Sequence, residues 1–156
     1  MERAVKEADR IRNELMQIER AVTNAQSDWS KFISTGDDAF LKAAAFDLHS
    51  FYTGIENIFY SIADTIDDAT PQGENWHKAI LTQMTREIEN IRPALISEES
   101  AAMLDEYLRF RHRIRNIYSF NLVPDRIKAL VEKLPTVFKD VQTNLIDFAQ
   151  FLERSY

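Results

Sequence analysis

The chain is expected to fold as a single all-α domain, an up-and-down bundle of about five helices spanning residues 1–156. Three observations predict it. Apolar residues recur at steps of three and four over long stretches, the spacing of one helix face. Breakers are scarce, with three glycines and four prolines in 156 residues. No internal repeat, low-complexity linker or strand pattern interrupts this organisation.

The first element carries Ala8, Ile11, Leu15, Ile18, Val22, Ala25, Trp29 and Phe32. That is a heptad seam on one helix of about thirty residues, roughly 45 Å long. After Gly36, Asp37 and Asp38 can cap a second helix and suit its positive end. Its apolar face comprises Leu48, Phe51, Tyr52, Ile55, Ile58, Phe59, Ile62 and Ile66. Gly54 lies inside this helix, where glycine costs about 1 kcal/mol relative to alanine; a close helix–helix approach would explain it. A loop from Asp67 to Glu74 precedes a third helix that Asn75 can cap. It carries Leu81, Met84, Ile88 and Ile91 and ends at Pro93. Ser97, with Glu98 and Glu99 behind it, opens a fourth helix expected to run to about Phe120. Pro124 suits the first turn of a fifth. The fifth seam is Leu130, Leu134, Val137 or Phe138, Val141, Leu145, Phe148 and Leu152, and Pro135 within it should kink or split the helix.

Composition narrows the function classes. At 45% hydrophobic and 28% charged, the chain reads as globular. It has no run of eighteen apolar residues, so no membrane span is expected, and Met1 to Glu7 lacks the apolar stretch of a signal peptide. The absence of cysteine excludes disulfides, zinc–thiolate sites and thiol chemistry, and fits a cytoplasmic location. A net charge of −6 argues against non-specific coating of nucleic acid; any contact with it should be local.

One segment departs from this acidic background. Arg109, Arg111, Arg113 and Arg115 fall within seven residues, interleaved with Phe110, His112 and Ile114 and followed by Asn116, Ile117 and Tyr118. Strand-like alternation is rejected because the flanks, Met103 to Tyr107 and Ile114 to Phe120, keep helical spacing. On a helix the apolar arc is Ile117, Phe110, Met103, Ile114, Tyr107 and Tyr118. The opposite arc is Arg111, Arg115, His112, Asn116, Arg109 and Arg113, with Arg111 and Tyr118 at the boundary. Asp105 and Glu106 stand one turn before Arg109 and can pair with it, and arginine complements a helix C-terminus. Two or three arginines are left without a local partner. A solvated or inter-subunit salt-bridge face would account for them; so would an anionic partner, phosphate first.

The segment Arg111-His112-Arg113-Ile114-Arg115-Asn116-Ile117-Tyr118 resembles the Arg-polar-x3-His-x-Tyr signature of the HEPN superfamily, and most closely the HepT-like ribonuclease toxins. Leu48 to Glu56, Gly73-Glu74-Asn75-Trp76-His77 and the helix from Pro124 to Leu152 fit the same family, so the resemblance covers nearly the whole chain. It implies a dimer of helical bundles whose signature helices face each other across one RNA-cleaving cleft. Cleavage there is metal-independent: the ribose 2′-hydroxyl attacks the adjacent phosphate, histidine assists proton transfer and arginine stabilises the charged intermediate. The resemblance also implies a minimal nucleotidyltransferase antitoxin that attaches AMP to the signature tyrosine. Carried over, Arg111 matches the signature arginine, His112 the polar residue and Tyr118 the modified tyrosine; Arg109, Arg113 and Arg115 are expected as RNA contacts from the basic face itself. Asn116 stands where the signature has histidine. An amide hydrogen-bonds but does not shuttle protons near neutral pH. Three readings stay open: a weak or inactive member, substitution by His112, or an engineered silencing change. His112 is the best remaining acid–base group, since imidazole exchanges protons near neutral pH, and Asn116 would orient substrate or the 2′-hydroxyl.

Other candidates carry less. Glu74-x-x-His77 has the spacing of a ferritin-type metal motif, but no second copy exists. A loop-anchoring role for His77 is expected instead. His49 reads as a satisfied core histidine, and Trp76 as packing for the loop. No cofactor and no metal are expected. The second functional reading is a non-catalytic bundle that binds RNA or a nucleotidyltransferase through its arginines.

Overall fold

A computed structural model describes residues 2–156; Met1, the first residue of the N-terminal stretch read above, and the side chain of Ser119 lie outside what is described. Five α-helices and one short 3-10 turn account for the regular structure among the described residues. They are α1 (Glu2–Thr35), α2 (Asp38–Thr65), α3 (Trp76–Gln83), α4 (Glu98–Ile114) and α5 (Pro124–Ser155), with the 3-10 turn at Ser119–Asn121.

Paired contacts give the directions. Glu7 meets Ser61 (the hydroxyl donates at 2.9 Å) and Ile18 meets Gly54, so α1 and α2 form an antiparallel hairpin. The turn is closed by Gly36, at φ 67°, whose N–H reaches the Phe32 carbonyl at 2.7 Å. Asp37 then caps α2 by accepting from the Ala39 N–H at 2.9 Å. Arg12 pairs with Glu153, and Gln26 with Val131, so α1 is antiparallel to α5 as well. Ser100 meets Asp140, and Tyr107 meets Leu130, which sets α4 antiparallel to α5. The result is the up-and-down bundle that the periodicity predicts, with short α3 bridging α2 and α4.

The seams bury where their spacing places them. Ala8, Ile11, Leu15, Ile18, Val22 and Ala25 of α1 face Leu48, Phe51, Ile55, Ile58 and Ile62 of α2 and the whole α5 seam in one core. Gly54 is the contact point of the hairpin: a Cβ there would lie 2.5 Å from Ile18 Cγ1. The glycine therefore sits at a close approach of two helices.

Three expectations about helix limits change. The third helix stops at Gln83, not Pro93, and Asn75 makes no side-chain cap. Buried Arg92 is the reason. Its guanidinium binds the Asp67 carboxylate in a fork and accepts no continuation of α3, because it donates to the carbonyls of Gln83 at 3.3 Å and Arg86 at 2.8 Å. The fourth helix ends at Ile114, six residues before Phe120. Asn116 ends it: its side-chain amide takes the His112 carbonyl at 2.8 Å, and its backbone N–H shifts to Arg113 O at 3.1 Å. The fifth helix runs from Pro124 to Ser155 without being split at Pro135. Proline removes the N–H that would bond the Val131 carbonyl; Gln26 of α1 supplies a donor to that carbonyl at 2.8 Å instead. No helix among the described residues is long and apolar enough to cross a membrane.

Candidate functional site

The arginine run does not present one uniform face. Buried positions on α4 are Ser100, Leu104, Tyr107, Leu108, Phe110 and Arg111, so Arg111 continues the inward stripe one turn beyond Tyr107 and Leu108. Its side chain is 4% exposed. Nη2 donates to Glu56 Oε2 at 2.9 Å and Nη1 to Thr53 Oγ1 at 3.3 Å, both on α2. The guanidinium lies over the Tyr52 ring at 5.1 Å, and its Nε has no partner. Burial pushes the Tyr52 hydroxyl's pKa up, with Glu56 adding to the rise and Arg111 opposing it.

Glu56 is buried and also holds His77, the second residue of α3. His77 Nδ1 lies 2.8 Å from Glu56 Oε2, and Arg111 Nη2 lies 3.2 Å from the same nitrogen. A carboxylate only accepts hydrogen bonds, so Nδ1 is the donor to Glu56, and Nε2 is the ring nitrogen not engaged by that carboxylate. The Trp76 ring packs on His77 at 3.8 Å between centroids and meets the Tyr60 ring edge-on at 5.6 Å. The loop-anchoring role expected of His77 and Trp76 is thus visible, and His77 keeps 30% of its side chain exposed. Among the described residues no three His, Cys, Asp or Glu side chains gather as metal ligands, and within Glu74-x-x-His77 it is His77 that bonds Glu56.

The other arginines divide. Arg109 Nε pairs with Asp105 at 3.2 Å, as its spacing predicts, and Lys78 reaches the same carboxylate at 3.0 Å. Glu106 turns to Lys133 instead. Arg113 and Arg115 are exposed and make no ion pair among the described residues. An open cleft of about 760 Å³ is lined by His77, Arg111, His112, Arg113, Arg115 and Asn116 together with Asp105 and Arg109. The sequence-predicted residues therefore meet in one place, apart from Tyr118. That residue is 72% exposed in the segment after α4 and stacks on Phe120, ring centroids 5.3 Å apart.

His49, one turn before Thr53 on α2, is half-buried against Phe46 rather than sealed in the core. Its pKa is lowered, by burial first and then by the charges of Arg111 and Arg115. Thr53, Glu56 and His77 are the members of the site that sequence reasoning did not place. The available signal was a glutamate inside the apolar face of α2, which needs a buried cation beside it.

Comparison with known proteins adds a family to this geometry. Residues 43–152, well over half of the chain, match the family model described as HepT-like protein. No curated protein and no solved structure matches the chain. The matched region takes in most of α2, all of α3 and α4, and α5 to Leu152, so it contains Glu56, His77 and the arginine run; with that match and an all-helical HEPN-like bundle, the chain belongs to the HepT-like family of HEPN proteins.

Proposed function

We propose that the chain is a metal-independent endoribonuclease, the toxin of a pair whose antitoxin is a minimal nucleotidyltransferase, acting in the cytoplasm as a homodimer. One observation carries the reading: a cleft in a protein of net charge −6 that gathers two histidines and two arginines with no ion pair among the described residues. Arg113 and Arg115 supply exposed cations for RNA phosphates. Cleavage follows the 2′-hydroxyl route, which needs a base, an acid and charge stabilisation at phosphorus. Arg111 is committed to Glu56, so its part is to hold the site, and the developing charge falls to Arg115 or Arg113. Tyr118, open to solvent, is accessible to an AMP-transferring partner.

Purified protein incubated with bulk tRNA tests this. The wild-type chain is expected to cleave. Arg113→Ala with Arg115→Ala should weaken binding and flatten the log–log salt dependence by about 1.4, the release expected for two contacts to single-stranded RNA. RNA that is bound but never cut removes the catalytic half. A specific observation favours that second reading, a non-catalytic module for RNA or for the nucleotidyltransferase: the Asn116 amide is spent on capping its own helix at the His112 carbonyl. Mass spectrometry after co-expression with a nucleotidyltransferase checks Tyr118; an unmodified tyrosine argues against the toxin–antitoxin pairing.

A further inference from the structure

We propose that His77 is the general base of this site and His112 its acid partner, so that one protomer holds both proton-transfer groups in a single cleft. The inference rests on the ribonuclease reading above and assigns a residue outside the signature helix. Its basis is the order of groups around one carboxylate. Glu56 is buried on α2, and its Oε2 takes a charged hydrogen bond from Arg111 at 2.9 Å. The same oxygen, Oε2, accepts from His77 Nδ1 at 2.8 Å, and Arg111 Nη2 lies 3.2 Å from that nitrogen. Nδ1 is thereby occupied as a donor, and Nε2 is the nitrogen left to exchange a proton with substrate. Trp76 packs against the ring face, and Arg111 is itself tied to Thr53, so the imidazole is held from two sides. The His77 side chain stays 30% exposed and lines the cleft that His112, Arg113 and Arg115 also line.

The step balances without a further reactant. His77 Nε2 takes the proton of a ribose 2′-hydroxyl as that oxygen bonds to phosphorus. Arg113 and Arg115 face the charge that develops on the phosphoryl oxygens. The bond from phosphorus to the 5′-oxygen then breaks, and His112, entering as imidazolium, gives that oxygen its proton. The products are a 2′,3′-cyclic phosphate and a 5′-hydroxyl, and one proton has moved from His112 to His77 through the substrate. Glu56 and Arg111 are positioning residues. Glu56 of α2 bonds His77 directly, and the charged or titratable groups that share its cleft are Asp105, Arg109, Arg111, His112, Arg113 and Arg115 from the α4 segment, with Glu74 and Lys78 beside it.

The experiment compares wild type, His77→Asn and Glu56→Gln on a labelled single-stranded RNA across pH. His49→Gln serves as the control. Asparagine keeps a donor where Nδ1 stood and deletes Nε2. His77→Asn is expected to lower kcat by about 100-fold or more, the range for a lost acid–base group. RNA affinity and thermal melting should stay near wild type, and the acidic limb of the kcat/KM profile should vanish. Glu56→Gln should give a smaller fall in kcat with a displaced acidic limb, which a merely structural glutamate would not produce. Cleavage by His77→Asn at the wild-type rate, with the acidic limb intact, overturns the base assignment while leaving the ribonuclease reading standing. A wild-type chain that binds this RNA and never cuts it overturns both.

Discussion

Asp28 and Asp47 meet across the α1–α2 hairpin, and one of them changes how stability responds to pH. Burial first, and then the nearby Asp28 carboxyl, push the Asp47 carboxyl up to about 8. An unfolded aspartate titrates near 3.9, so folding takes up a proton between these values. The contribution is full below the unfolded pKa and is lost as pH rises through the folded one. Stability should therefore decline from mildly acid to pH 8. Asp47→Asn is expected to remove that slope and to stabilise the protein by about 1 kcal/mol at pH 8, a figure reduced for solvent screening of a half-exposed group. Urea melts at several pH values would show it; a variant whose slope matches wild type refutes the carboxyl pair. Arg111 teaches a related lesson. Its position on the edge of the arc is legible in the sequence, whereas its inward turn depends on Glu56, which lies on another helix.

Element limits follow from where backbone groups find partners. The α5 seam is legible from spacing alone, and every position from Leu130 to Leu152 on it is buried. Its continuity through Pro135 is not, because the missing donor is supplied by a glutamine on α1. Gln26→Ala is expected to destabilise by about 1–2 kcal/mol, the cost of a buried carbonyl left without a partner. In a Pro135→Ala background the restored N–H takes over, and the same Gln26→Ala change should cost far less. A double-mutant cycle by chemical denaturation measures the coupling. Additive effects would mean that Gln26 is not what keeps the helix whole. The early ends of α3 and α4 have the same kind of cause. Arg92 takes carbonyls that a longer α3 would use, and Asn116 takes the one at His112.

At the scale of the whole molecule, α1 lies entirely outside the residues that match the family, yet it packs along both α2 and α5. Ile11, Leu15, Ile18 and Val22 are buried there. Burying four such side chains is worth roughly 6–12 kcal/mol, comparable with the ~5–15 kcal/mol total stability of a domain. Removal of residues 2–35 should leave a chain without cooperative melting, checked by calorimetry and size-exclusion chromatography; a sharp transition in the shortened chain would show that residues 36–156 form an independent core. The sequence by itself determined the class of the fold, the seams, the caps at Asp37 and Ser97 and the basic segment, because periodicity, capping and charge are local properties. Only the tertiary structure decided which arginines stay free, where α3 and α4 end, and that Glu56 and His77 join the site. The site depends on partners 21 to 58 residues apart, whose meeting is set by helix packing and the need to satisfy buried charge, whereas the ends of α3 and α4 turn on side-chain bonds to carbonyls four to nine residues away.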